Sequence, residues 1–121
     1  MTKIPAIPSN LKKQEIENWI IKVFKRSSKN LKLNQVYGLL LQNPDILLSR
    51  NSKYVYRTLL KLKKSKKLKK IGISIYNFNN IGKIINNHKI DFIQIPFNIL
   101  DRRIEDKKLI KNIKKKKIEL H

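Results

Sequence analysis

Three short runs rich in β-branched and aliphatic residues, Val36–Leu41, Ile71–Tyr76 and Phe92–Phe97, stand between stretches whose apolar residues recur at helical spacing. This alternation constrains the fold more than any other feature, because strands separated by helix-length segments must be crossed over and so pair in parallel. From Gln14 to Lys29, Ile16, Trp19, Ile20, Val23 and Phe24 fall on one helical face opposite Glu15, Lys22, Lys25 and Arg26. A second helix, capped by Asn51 or Ser52, carries Val55, Leu59 and Leu62 inward, and a lysine-rich tail from Lys61 to Lys70 suits the negative end of its dipole. A third starts at Asn79 or Asn80 with Ile81, Ile84 and Ile85 inward, and a fourth runs from Asp106 to Lys114. Thr2–Ile4 and Ile118–His121 read as further strands at the two ends. The expected class is α/β, with about five parallel strands, four helices and one domain over residues 1–121.

The third run holds a polar group where none is expected. A strand buried on both faces is nearly all apolar, so Gln94 between Ile93 and Ile95 is either a core amide satisfied by its neighbours or a group that faces a ligand. Ligands of parallel α/β proteins lie at the carboxyl ends of the strands, where Pro96, Asn98 and Asp101 follow. Asp101 with Arg102 and Arg103 also suits a local ion pair. No cysteine is present, and His88 and His121 are the only histidines, which argues against thiolate or histidine-cluster metal sites. No apolar run reaches the roughly 18 residues of a membrane span, so a cytoplasmic protein is expected. The formal charge of +21 has two readings. It could serve a polyanion, or it could follow from a composition rich in lysine, isoleucine and asparagine, the set that A/T-rich codons encode.

The motifs quoted above, with Lys70-Ile71-Gly72-Ile73-Ser74-Ile75 and Tyr37-Gly38-Leu39-Leu40-Leu41-Gln42-Asn43-Pro44, resemble the aldo/keto reductase family of NAD(P)-dependent (β/α)8 barrels. The resemblance covers nearly the whole chain and about the third to seventh strands of such a barrel. It implies carbonyl reduction by hydride transfer, with Ser74 and Gln94 holding the nicotinamide carboxamide of NADP or NAD. Gln42 falls where the family has an active-site histidine, and Lys3 where it keeps a catalytic lysine. Ile75 replaces the asparagine that often follows the serine. A barrel of this type takes about 250 residues. The chain, at 121, is therefore expected to be a truncated barrel, a fragment, one half of a split protein, or an open sheet that self-associates or meets a partner chain through its edges. The family's tyrosine acid and its paired aspartate come from earlier strands, so the chain alone is expected to lack activity on a small carbonyl substrate. A second reading, from another class, makes residues 14–29 and 53–70 the helices of a basic winged-helix nucleic-acid binder with Tyr54, Arg57 and Lys61 on the recognition helix.

Overall fold

The computed structural model describes residues 2–8, 10–31, 35–75, 80–95 and 107–121. Within them, β1 (Thr2–Ile4), α1 (Lys13–Leu31), β2 (Val36–Leu41), α2 (Ser52–Lys64), β3 (Leu68–Ser74), α3 (Ile81–Asn87), β4 (Phe92–Gln94), α4 (Lys107–Lys115) and β5 (Glu119–Leu120) alternate along the chain. A 3-10 turn, Pro44–Leu48, joins β2 to α2. Its proline ends the strand because it has no N–H to donate to a ladder. All five strands are parallel and lie in the order in which they occur in the sequence.

That order, together with the burial pattern, defines how the sheet is wound. Ile16, Ile20 and Phe24 of α1, Val55, Leu59 and Leu62 of α2, Ile84 of α3 and Ile113 of α4 share a single core with Leu39, Leu41, Ile71, Ile73 and Ile93. Trp19 packs against its margin. Alternate residues of a strand face opposite sides, so one face of the sheet meets every one of these helices. A doubly wound sheet would reverse strand order and use both faces. A sheet wound in one direction with helices outside is the wall of a barrel. The fold is α/β, five consecutive strands of a barrel wall with the four helices that connect them.

The opposite, concave face is packed differently. Leu40 and Phe92 are fully buried there yet stand apart from the helix-side core. Phe92 is the register partner of Gly72, and its ring lies where a side chain at residue 72 would begin, within 2.3 Å of an ideal Cβ. Glycine is required by this close approach.

The sequence-based boundaries of β3 and α2 need correction. The helix ends at Lys64 and the strand begins at Leu68, so Lys69 and Lys70 belong to the strand. The reversal occurs at Lys66, whose φ of 65° breaks the helical path. Leu68 is buried, and burying that side chain favours the early strand start by about 2 kcal/mol. Asn51 occupies the cap position of α2 but makes no side-chain capping bond; instead Ser49 Oγ accepts from the Asn51 N–H at 3.2 Å. The winged-helix reading finds no support: α1 and α2 lie on the outer wall of a parallel sheet, and Lys61 pairs with Glu17 at 2.7 Å.

Candidate active site at the carboxyl ends of the strands

Parallel pairing carries the polar residues of different strands to one rim. Ser74 and Gln94 are direct register partners. Leu41 pairs with Ile73, which brings the next residue, Gln42, beside Ser74, and the Gln42 N–H donates to the Ile4 carbonyl at 3.1 Å. On the other side, the His121 N–H donates to Ile93 O at 2.9 Å and its carbonyl accepts from the Ile95 N–H at 3.0 Å, so His121 lies opposite Gln94. Gln42, Ser74, Gln94 and His121 thus make one row across four adjacent strands. By the same alternation the row belongs to the concave face, the face of Leu40, Gly72 and Phe92.

Lys3 pairs with Leu40, one step below Gln42, and is exposed. The structure therefore brings Ser74 and Gln94 together, sets Gln42 beside them, and leaves Lys3 at the edge of the group. Pro96, Asn98, Asp101, Arg102 and Arg103 lie outside the described residues.

The electrostatics of the row centre on one unmet group. Gln94 Oε1 is buried and has no hydrogen-bond partner, a condition that costs about 1–3 kcal/mol unless something donates to it. Ser74 beside it is 5% exposed and polar. A cavity of about 110 Å³ is lined by Ser74, Gln42, Asn43, Asp45 and Asn80 together with the helix-side residues Ile73, Ile75, Ile81 and Ile84, and Gln94 does not line it. At roughly 30 Å³ per water it has room for a few heavy atoms and not for a nucleotide. Ile75, where an asparagine would add a second amide, is instead buried in the helix-side core, and its N–H donates to Gln94 O at 3.0 Å.

Below this row, Lys70 Nζ donates to Glu119 Oε1 and Tyr37 Oη to Glu119 Oε2 at 3.2 Å, and His121 Nε2 lies 3.2 Å from Glu119 Oε2. The Lys70 ammonium, then the His121 contact, hold the Glu119 carboxyl down at about 2. Sequence reasoning placed Lys70 only in the lysine tail of the second helix and gave Tyr37, Glu119 and His121 no role. The one available signal was register: a strand beginning at Glu119 must set His121 level with Gln94. Asn80 and Asp45, 3.4 Å apart through Asn80 Nδ2, were likewise legible only once the loops were closed.

A singly wound parallel sheet with amide and hydroxyl groups gathered at its carboxyl rim defines part of a barrel of the α/β class. The family model for aldo/keto reductases matches residues 1–121, and the chain belongs to the aldo/keto reductase family. It is similar to the aldo/keto reductase from Brucella melitensis, at 18% identity and a TM-score of 0.63, covering 98% of this chain and 44% of that one. It is similar to Gox0644 in its apo form, at 16% identity and 0.65, covering 98% and 42%. MGS-M4, an aldo-keto reductase from a Medee basin deep-sea metagenome library, gives 22% identity and 0.59, with 99% and 42% covered. The chain spans less than half the length of these structures. No curated protein matches it. Among the described residues no helix is long and apolar enough to cross a membrane.

Proposed function

We propose that this chain provides the nicotinamide-binding wall of a cytoplasmic NAD(P)-dependent carbonyl reductase, with Ser74 and Gln94 as the residues that orient the carboxamide. The observation that carries this reading is the buried, unpartnered Oε1 of Gln94, whose residue is the direct register partner of Ser74. An acceptor in that state fits the N–H of a primary amide, and the Ser74 hydroxyl can meet the other end of the same group. When bound, reduced NAD(P) supplies the hydride for a carbonyl carbon.

The chain's own residues then act by position. Holding the carboxamide in one plane fixes which face of the ring points into the concave side, and such orientation lowers the barrier without any chemical step by the protein. Gln42 can donate an N–H to a carbonyl oxygen at the same rim. It has no titration near neutral pH, unlike the histidine of the family pattern, so it polarises but does not carry a charge or transfer a proton. Lys3 makes no ion pair among the described residues. A tyrosine acid activated by this lysine would have to come from other strands, whether in a longer chain or in a partner that meets β1 and β5 at the sheet edges. The 121-residue chain by itself is therefore expected to leave NADPH unoxidised in the presence of simple aldehydes, and steady consumption that depends on the aldehyde would refute this.

Coenzyme binding tests the site without activity. In a titration followed by NADPH fluorescence, Gln94→Leu should weaken binding about tenfold, the loss of one net hydrogen bond of roughly 1.4 kcal/mol. The same substitution removes an unsatisfied buried group, so the free chain should become about 1 kcal/mol more stable to urea. Opposite movements of affinity and stability support a ligand-facing glutamine. Unchanged affinity with lowered stability would make Gln94 a core amide instead.

A further inference from the structure

All strands are parallel, so every helix-to-strand turn lies at the amino end of the sheet, opposite the rim that holds Ser74 and Gln94. Two of these turns are made of lysine. From the last residue of α2 into the turn before β3 stand Lys64, Lys66 and Lys67, and from the last residues of α4 into the turn before β5 stand Lys114–Lys117, all exposed. None of them has an ion-pair partner among the described residues, where the carboxylates at this end are already engaged: Asp91 by Lys63 at 2.7 Å and Glu119 by Lys70. Cations are favourable beside helix carboxyl ends, which accounts for Lys64, Lys114 and Lys115. It does not account for Lys66 and Lys117.

Those two residues have φ values of 65° and 57°, the only positive values outside glycine among the described residues. Lys117 closes α4 in a Schellman arrangement, with the Ile118 N–H donating to Ile113 O at 3.1 Å and the Lys117 N–H to Lys114 O at 3.0 Å. The position is one where helices favour glycine, because a Cβ is strained there. Lys66 occupies the equivalent place after α2, its N–H bonded to Lys63 O at 3.1 Å. Each turn thus carries a long cation at its most strained position, and the turn before β3 is tied to the start of β2: the Lys66 carbonyl accepts from Gln35 Nε2 at 3.0 Å and the Lys67 carbonyl from the Val36 N–H at 2.9 Å.

We propose that the amino end of the sheet is a nucleic-acid-binding surface, on which these two lysine turns contact the phosphates of a duplex. The turns precede β3 and β5, two strand spacings or about 10 Å apart, comparable with the groove widths of DNA at about 6 and 12 Å. Lysine ammonium groups contact phosphate as point charges without reading bases, so binding is independent of sequence and releases counterions. An anionic membrane is the less suitable polyanion, since interfacial docking also inserts apolar groups. The large apolar side chains exposed among the described residues, Tyr37, Leu48, Leu60 and Leu120, lie in neither turn. This surface involves no recognition helix and no residue of the carboxyl rim, and it is independent of the coenzyme reading.

The test is fluorescence anisotropy of a short fluorescein-labelled duplex titrated with the full chain at several salt concentrations. The double variant Lys66→Gly, Lys117→Gly removes two charges while relieving strain, so it should melt at a higher temperature than the parent. Its affinity for DNA should fall at least about tenfold near 0.1 M salt, with the logarithmic salt slope shallower by about 2. The control variant Lys22→Gln, Lys25→Gln removes two exposed charges from the middle of α1 and should change affinity less than threefold. Equal losses in both variants would mean diffuse attraction by net charge and would overturn the surface. So would an absence of binding, or binding to phosphatidylcholine vesicles containing a fifth phosphatidylserine that falls in the glycine variant while DNA affinity does not.

Discussion

At the scale of single residues, two positions on the concave face convert sequence into measurable stability. Gly72 admits the Phe92 ring, and Gly72→Ala must push that ring out of a fully buried place, an overpacking that costs about 1–3 kcal/mol. A fall in the urea midpoint of that size, with recovery in the double variant Gly72→Ala, Phe92→Leu, would confirm the contact. Glu119 is the second. Its carboxyl is held at about 2 in the folded chain against an ordinary 4.5, chiefly by Lys70. A group depressed on folding stabilises above its unfolded value, and that contribution disappears as pH falls from about 4.5 to 2. Glu119→Gln should therefore be less stable than the parent at pH 6, and the two should converge as urea melts are repeated down to pH 2. Convergence in the other direction, toward higher pH, would contradict the pairing.

Among elements, the joints at the amino end depend on a side chain that sequence pattern leaves unremarked. Asp91 Oδ2 accepts from Lys63 Nζ at 2.7 Å and from the Ile71 N–H at 2.9 Å, tying α2 to β3 from the first residue before β4. Its backbone continues the link: its N–H donates to Ile71 O at 2.8 Å and its carbonyl accepts from the Glu119 N–H at 3.0 Å. Asp91→Ala strips two acceptor bonds, one of them charge-assisted, from a side chain only 16% exposed. The expected cost is about 2–3 kcal/mol, read from chemical denaturation. A loss within 0.5 kcal/mol would place Asp91 with the ordinary exposed pairs, whose worth is typically below about 1 kcal/mol. Lys61–Glu17, with Lys61 more than half exposed, belongs to that weaker class and ties α1 to α2 only lightly.

Over the whole molecule, 29 basic residues face eight acidic ones, and self-repulsion opposes the compact state. Raising salt shortens the Debye length from about 30 Å at 0.01 M to about 10 Å at 0.1 M. The melting temperature should thus rise across that interval, in contrast to a protein held by surface pairs, which salt would weaken. A flat or falling profile would mean that pairs such as Lys70–Glu119 outweigh the repulsion.

The alternation of apolar runs was enough to establish parallel strands and helix faces, because side-chain periodicity is a local property that each segment expresses by itself; the family came from the resemblance of particular motifs, among them Ile71–Ser74 and Gln94. Val36–Leu41 and the inward residues of α2 were legible for that reason. So was the oddity of Gln94, an amide in an apolar run. What the sequence could not determine was which residues become neighbours across strands. Ser74 meets Gln94, His121 comes level with both, Phe92 closes over Gly72, and Asp91 joins β3 to α2 only through a register set by the packing of the whole sheet. The start of β3 was misplaced because lysines have no strong local preference and the burial of Leu68, a tertiary effect, decided it. Local pattern chose the elements; long-range packing chose their partners, and the site is made of partners.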